Sequence, residues 1–101
     1  SSPSYAIAKS GVVTMTVTAA AYLAEHGIRV NAISPGIVDT HFHDEVKIKN
    51  PKVLESQINT IPLGRLAEPE DIASAISFLV SENSSYITGE VITVGGGKNR
   101  L

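Results

Sequence analysis

The sequence contains no cysteine. That excludes a disulfide framework, cysteine-ligated zinc and a thiol nucleophile, and it fits a reducing cytosol. No charge of one sign dominates either: the net charge is −2 with mixed signs, so neither nucleic acid nor an acidic membrane surface is indicated as a partner. Lys47, Lys49 and Lys52 lie close together, but Glu45 and Glu55 flank them, which reads as a solvated face. There is no internal repeat, no low-complexity linker and no visible secretory signal. The most apolar run, 12–24, is broken by three threonines and taken alone is too short to span a bilayer. Histidines are few. His41 and His43 stand at i and i+2, a chelating spacing in a strand, but no third ligand is evident, and they read as substrate-mouth or solvent residues rather than a metal site.

What is present is a chain of 101 residues, 43% apolar, enough for one small domain with a modest core. Ser2 can cap a helix and Pro3 suits its first turn. Mostly helix-tolerant residues follow, and apolar side chains (Ile7, Val12, Val13, Met15, Val17, Leu23) cover more than one stripe. A helix over 4–26 is expected, buried on two faces, with Gly27 closing it in a left-handed conformation. Residues 28–33 are short, β-branched and end at Ser34-Pro35-Gly36, which predicts a strand stopped by a turn. Helix, glycine turn and strand make the building block of a parallel sheet, in which ligands bind beyond the carboxyl ends of strands.

Residues 37–50 lack periodicity and read as a long loop, an excursion of the kind that forms lids or specificity elements. Asn50-Pro51 starts a short helix with Leu54, Ile58 and Ile61 on one face, and Pro62-Leu63-Gly64-Arg65 turns out of it. Pro69 and the acids around it begin an amphipathic helix to about Ser81, carrying Ile72, Ile76, Leu79 and Val80. A strand over 90–94 precedes Gly95-Gly96-Gly97, after which no helix follows to receive a phosphate. Asn31 is expected to be a satisfied structural amide. Arg65 is either a partner for an acid at a subunit contact or a solvated turn residue. Tyr22 and Tyr86 read as packing or interface aromatics. The order α, β, loop-α, α, β fits the end of an α/β domain.

Tyr5 and Lys9 stand four residues apart and share a helix face. A fixed ammonium beside a phenol favours the phenolate, which suits proton transfer to or from a substrate oxygen. Taken with the strand 28–33, Pro35-Gly36-Ile37-Val38-Asp39-Thr40, Pro62-Leu63-Gly64-Arg65, Glu68-Pro69-Glu70-Asp71-Ile72-Ala73 and Tyr86-Ile87-Thr88-Gly89, this pair resembles the C-terminal part of a short-chain dehydrogenase/reductase. The likeness is nearest to the 3-oxoacyl-carrier-protein reductases and small sugar or polyol dehydrogenases, and it covers nearly the whole chain. It implies the C-terminal part of a Rossmann-type doubly wound parallel sheet, one NAD(P)-binding domain across 1–101 without its N-terminal half.

The resemblance also implies roles. Tyr5 would be the general acid/base, and Lys9 would assist it and hold the nicotinamide ribose of NAD or NADP. Pro35, Gly36, Ile37 and Val38 would approach the nicotinamide carboxamide, with Thr40 adding a hydroxyl contact. The substrate would be a carbonyl or secondary alcohol, the location cytoplasmic and the assembly a homo-oligomer, a tetramer or a dimer. The family's glycine-rich dinucleotide loop and its active-site Ser and Asn precede the tyrosine and are absent here. The chain therefore reads as roughly the last two-fifths of an enzyme, inactive as given. The alternative is a non-catalytic piece that completes a sheet or an oligomer.

Overall fold

In the computed structural model, which describes residues 2–40 and 44–98, the chain forms helix α1 (Pro3–Leu23), strand β1 (Ala32–Pro35), helices α2 (Asp44–Lys49), α3 (Pro51–Asn59) and α4 (Pro69–Val80), and strand β2 (Val91–Val94). The two strands make one sheet. Ala32 N–H donates to the Glu90 carbonyl and Gly36 N–H to that of Val94, so the strands run parallel in constant register. The chain divides into two compact units, Ser1–Ile33 with Ser77–Ile92, and Ser34–Ile76 with Thr93–Leu101. Both strands and α4 run through the division.

In the first unit, the Ser2 side chain accepts from Tyr5 N–H and Pro3 opens α1, as the sequence predicts. The helix tightens into a 3-10 turn at Ala24–His26 and stops at Gly27, whose φ of 72° is the left-handed conformation that only glycine adopts at little cost. Gly27 N–H bonds Ala24 and Ile28 N–H bonds Leu23, the paired closure of a Schellman motif. Thr16 and Ala20 are the buried residues of α1, and the Thr16 hydroxyl is satisfied by the Val12 carbonyl at 2.7 Å. Leu79 and Ser84 complete this core.

Burial on two helical faces is not what this chain shows. Ile7, Met15, Val17 and Tyr22 are all more than half exposed. The reason is scale: a helix of 21 residues has no comparably large surface to pack on among strands of four residues each. Spanning length needs correction too. The continuous helical stretch Pro3–His26 has 24 residues and is long and apolar enough, by length and composition alone, to cross a membrane; the run 12–24 understated it.

The strand expected at 28–33 lies instead at Ala32–Pro35. Upstream of it, side-chain bonds join a single backbone bond, from Gly89 N–H to the Val30 carbonyl at 2.7 Å. Val30 N–H donates to Thr88 Oγ1, while Asn31 Nδ2 donates to the Ile87 carbonyl and Asn31 Oδ1 accepts from Glu90 N–H. Asn31 is thus the satisfied amide expected, and its bonds take the place of a rung.

In the second unit, the supposed loop 37–50 contains α2, whose six residues make fewer than two turns and so carry no readable period. Asn50 occupies the N-cap of α3 without a side-chain cap bond; its carbonyl accepts from Val53 and Leu54 N–H. Ile61 and Leu66 are the core residues here, and Leu54 and Ile58 are half-buried beside them in sequence, on the expected face. On α4, Leu79 is buried but Ile76 and Val80 are exposed, so the amphipathic stripe is only partly covered. Gly96 and Gly97 have φ of 63° and 94°, and Gly96 accepts from Leu63 N–H. The terminal glycines therefore seat the 61–64 turn.

Candidate functional site

The Ser2 cap fixes where α1 begins, and with it the face on which Tyr5 and Lys9 stand. The two side chains line one open surface groove with Ala6, Ser10, Val13 and Thr14. Tyr5 is 57% exposed, so its hydroxyl is reachable from solvent. Tyr5, Lys9 and Val13 repeat at four-residue spacing along this groove, which puts a phenol, an ammonium and an apolar flank in one row. That arrangement can pass a proton to a carbonyl oxygen and receive one back.

The other predicted residues, Pro35 to Thr40, belong to the second unit. Pro35 ends β1 and Gly36 adds one more bond to β2. A Cβ on Gly36 would lie 2.8 Å from Gly95 Cα, so two backbones meet here at a distance that no side chain permits. Ile37, Val38 and Asp39 then pair with a partner that sequence reasoning missed. Ala67 N–H donates to the Ile37 carbonyl at 2.9 Å and Asp39 N–H donates to the Ala67 carbonyl at 2.7 Å, an isolated parallel bridge between Val38 and Ala67. In such a bridge the flanking residues carry both bonds, and Val38's own N–H and C=O point the opposite way. One outward donor and one outward acceptor on a single residue suit a carboxamide, which has an acceptor oxygen and a donor NH2 side by side. Thr40 follows, exposed.

Ala67 is itself held. Arg65 donates to the Leu66 carbonyl at 3.0 Å and grips the Asp71 carboxylate with both terminal nitrogens, at 2.7 and 3.3 Å. Asp71 Oδ2 accepts from Glu68 N–H at 2.7 Å, and Asp71 N–H donates to the Glu68 carbonyl, a reciprocal cap at the start of α4. The Arg65 guanidinium, and after it the Glu68 amide, hold the Asp71 carboxyl below the usual carboxylate range; Asp71 in turn raises Arg65. Arg65, read either as a partner for an acid at a subunit contact or as a solvated turn residue, pairs with an acid six residues along its own chain and stays more than half exposed. Ile37, Arg65, Ala67 and Asp71 line a common cavity of about 180 Å³.

Arg29 also escaped the sequence reading. It donates to the carbonyls of Ile87, Leu79 and Ser81 and so satisfies the C-terminal end of α4. A strand-flanking arginine followed at long range by a helix end leaves no local signal. Tyr22 and Tyr86, read as packing or interface aromatics, are largely exposed, so neither packs within this chain. His41 and His43 lie outside the described residues.

A family profile described as enoyl-(acyl carrier protein) reductase matches residues 1–99. The chain is 47% identical over 93 residues to the (3R)-3-hydroxyacyl-CoA dehydrogenase of Canis lupus familiaris, covering 92% of this chain and 35% of that protein. It is 45% identical to the 3-oxoacyl-[acyl-carrier-protein] reductase FabG of Thermotoga maritima, covering 92% of this chain and 37% of the relative. The chain thus spans little more than a third of the length of these curated relatives. Among solved structures, a short chain dehydrogenase family protein from Francisella tularensis superposes with a TM-score of 0.83 at 33% identity, covering 96% of this chain and 43% of that one. A putative 2-deoxy-D-gluconate 3-dehydrogenase from Agrobacterium tumefaciens with bound NADP superposes with a TM-score of 0.83 at 38% identity, over 95% of this chain and 39% of that one. The α/β architecture is that of these Rossmann-type neighbours, and the chain belongs to the short-chain dehydrogenase/reductase family of oxidoreductases.

Proposed function

We propose that the protein containing this chain is an NAD(P)-dependent oxidoreductase that interconverts a carbonyl and a secondary alcohol. The observation that carries the reading is the Tyr5–Lys9 pair, four residues apart and lining one groove of α1. In reduction, the Tyr5 hydroxyl gives its proton to the carbonyl oxygen; in oxidation, the phenolate takes the alcohol proton. Lys9, on the same face, offers donors to the ribose. The outward N–H and C=O of Val38 fit the nicotinamide carboxamide, with Thr40 two residues beyond. When bound, the nicotinamide supplies or accepts the hydride. That one structural neighbour carries NADP supports a nicotinamide dinucleotide. The names of the two curated relatives, a 3-hydroxyacyl and a 3-oxoacyl enzyme, support a substrate whose reacting carbon is a ketone or secondary alcohol.

The same reading places the protein in the cytoplasm as a homo-oligomer. The exposed apolar residues of α1, Ile7, Met15 and Tyr22, support a surface that another copy covers. Tyr5→Phe in the natural protein containing this chain is the test. Turnover is expected to fall by about 10²–10⁴-fold while NAD(P)H affinity holds within about twofold. Equal loss of turnover and cofactor affinity would make Tyr5 a structural residue and overturn the assignment.

A further inference from the structure

We propose that Arg65 and Asp71 are positioning residues for the nucleotide, acting through Ala67 to set the direction of Val38's peptide groups. The inference rests on the nicotinamide reading of Val38 given above. Residues 66–68 form a short extended rail with two edges. On one edge, Ala67 N–H and C=O hold Ile37 and Asp39, at 2.9 and 2.7 Å. The flanking groups, the Leu66 carbonyl and the Glu68 N–H, are bound by Arg65 at 3.0 Å and by Asp71 at 2.7 Å. The bidentate contact between Arg65 and Asp71 closes the frame around the rail.

An exposed ion pair contributes little to global stability, and these side chains are 56% and 34% exposed. Geometry is what this pair supplies. It leaves the Ala67 peptide groups one orientation, and a bridge of one residue pair has no neighbouring rung to correct a tilt. Rotation of the rail would rotate Ile37 and Asp39 with it, and the Val38 N–H and C=O between them. Arg65 and Asp71 reach the carboxamide only through this relay, so their loss should be felt by the nicotinamide end of the nucleotide and not by its adenosine end.

The experiment uses the natural protein containing this chain and its Asp71→Ala variant. Affinities for NADH, NADPH and ADP-ribose, which lacks the nicotinamide, are measured by fluorescence and calorimetric titration. The wild-type protein is expected to bind a reduced dinucleotide more tightly than ADP-ribose. In the variant, dinucleotide affinity is expected to fall about tenfold, while ADP-ribose affinity moves less than about twofold. A folded variant that keeps both affinities, or loses both in parallel, overturns the positioning role. Should Asp71→Ala fail to fold, Arg65→Gln, which leaves the Asp71 cap on Glu68 in place, is read in the same way. A wild-type protein that binds no dinucleotide overturns the functional reading first and this inference with it.

Discussion

The Arg29 guanidinium donates to the Leu79 carbonyl at 2.8 Å across fifty residues of sequence, and the same group reaches Ser81 and Ile87. One planar fork ties together three carbonyls, each of which a second donor also reaches: Ser84 Oγ at Leu79 and Ser81, and Asn31 Nδ2 at Ile87. A lysine offers a single point from which to donate and cannot span them. Arg29→Lys is expected to destabilise the protein by about 1–3 kcal/mol, read as a lower urea midpoint at unchanged slope. A midpoint equal to that of the parent would mean that Ser84, Asn31 and water serve those carbonyls well enough without the fork.

Gly36 and Gly95 bring two stretches of main chain into close approach. Gly36→Ala would put a methyl 2.8 Å from Gly95 Cα, against main chain that has no rotamer to yield. The expected cost is about 1–3 kcal/mol by thermal or chemical unfolding. Gly11→Ala is the control, because nothing lies within 4 Å of its Cβ and the site is helical. It is expected to be neutral or stabilising by up to about 1 kcal/mol.

Acid should loosen the start of α4. The Asp71 carboxyl is held low in the folded protein by Arg65 and the Glu68 amide. A carboxyl whose folded value lies below its unfolded one adds stability above the unfolded value, and that stability is lost as pH falls through the folded value. Asp71→Asn is therefore expected to be less stable than the parent at neutral pH, with the gap closing below about pH 4. Urea midpoints across a pH series check this; a constant gap down to pH 2 would mean that the pair contributes nothing through its charge.

The isolated chain should bind nucleotide poorly. Among the described residues no glycine-rich turn leads into a helix: Gly96 and Gly97 instead seat Ile61, Pro62 and Leu63, and Gly95 lies against Gly36. The described residues thus offer a pyrophosphate no glycine turn opening onto a helix N-terminus. Titration of the 101 residues with NADH or NADPH is expected to show no micromolar binding. Saturable micromolar binding would show that the β1 turn suffices by itself.

The sequence announces what is local. Ser2, Pro3 and Gly27 mark α1 at both ends because caps and left-handed glycines act within a few residues. The Tyr5–Lys9 face follows from helical spacing alone. The start of β1 was less legible, since Asn31 and Thr88 replace ladder bonds with side-chain bonds that depend on a segment almost sixty residues away. Ala67 was invisible for a related reason: a bridge made by peptide groups leaves no trace in the side chain that carries it. Arg65 and Asp71 are six residues apart, a spacing that no helix or strand period singles out. The exposure of α1 could not be read from its apolar content, because composition reports what a surface would gain by being covered and not what covers it.

Pro35 gives β1 a polarity between its two edges. Ala32 and Gly36 direct their N–H groups to β2, so the alternate residues Ile33 and Pro35 turn theirs to the opposite side. Ile33 has a donor to offer there; Pro35 has none. A strand laid against that opposite edge would find a donor at Ile33 and a blank at Pro35, so pairing on that side ends one rung earlier than pairing with β2. The proline thus shortens pairing on that edge by one rung, at the point where the chain leaves the sheet for the turn through Val38.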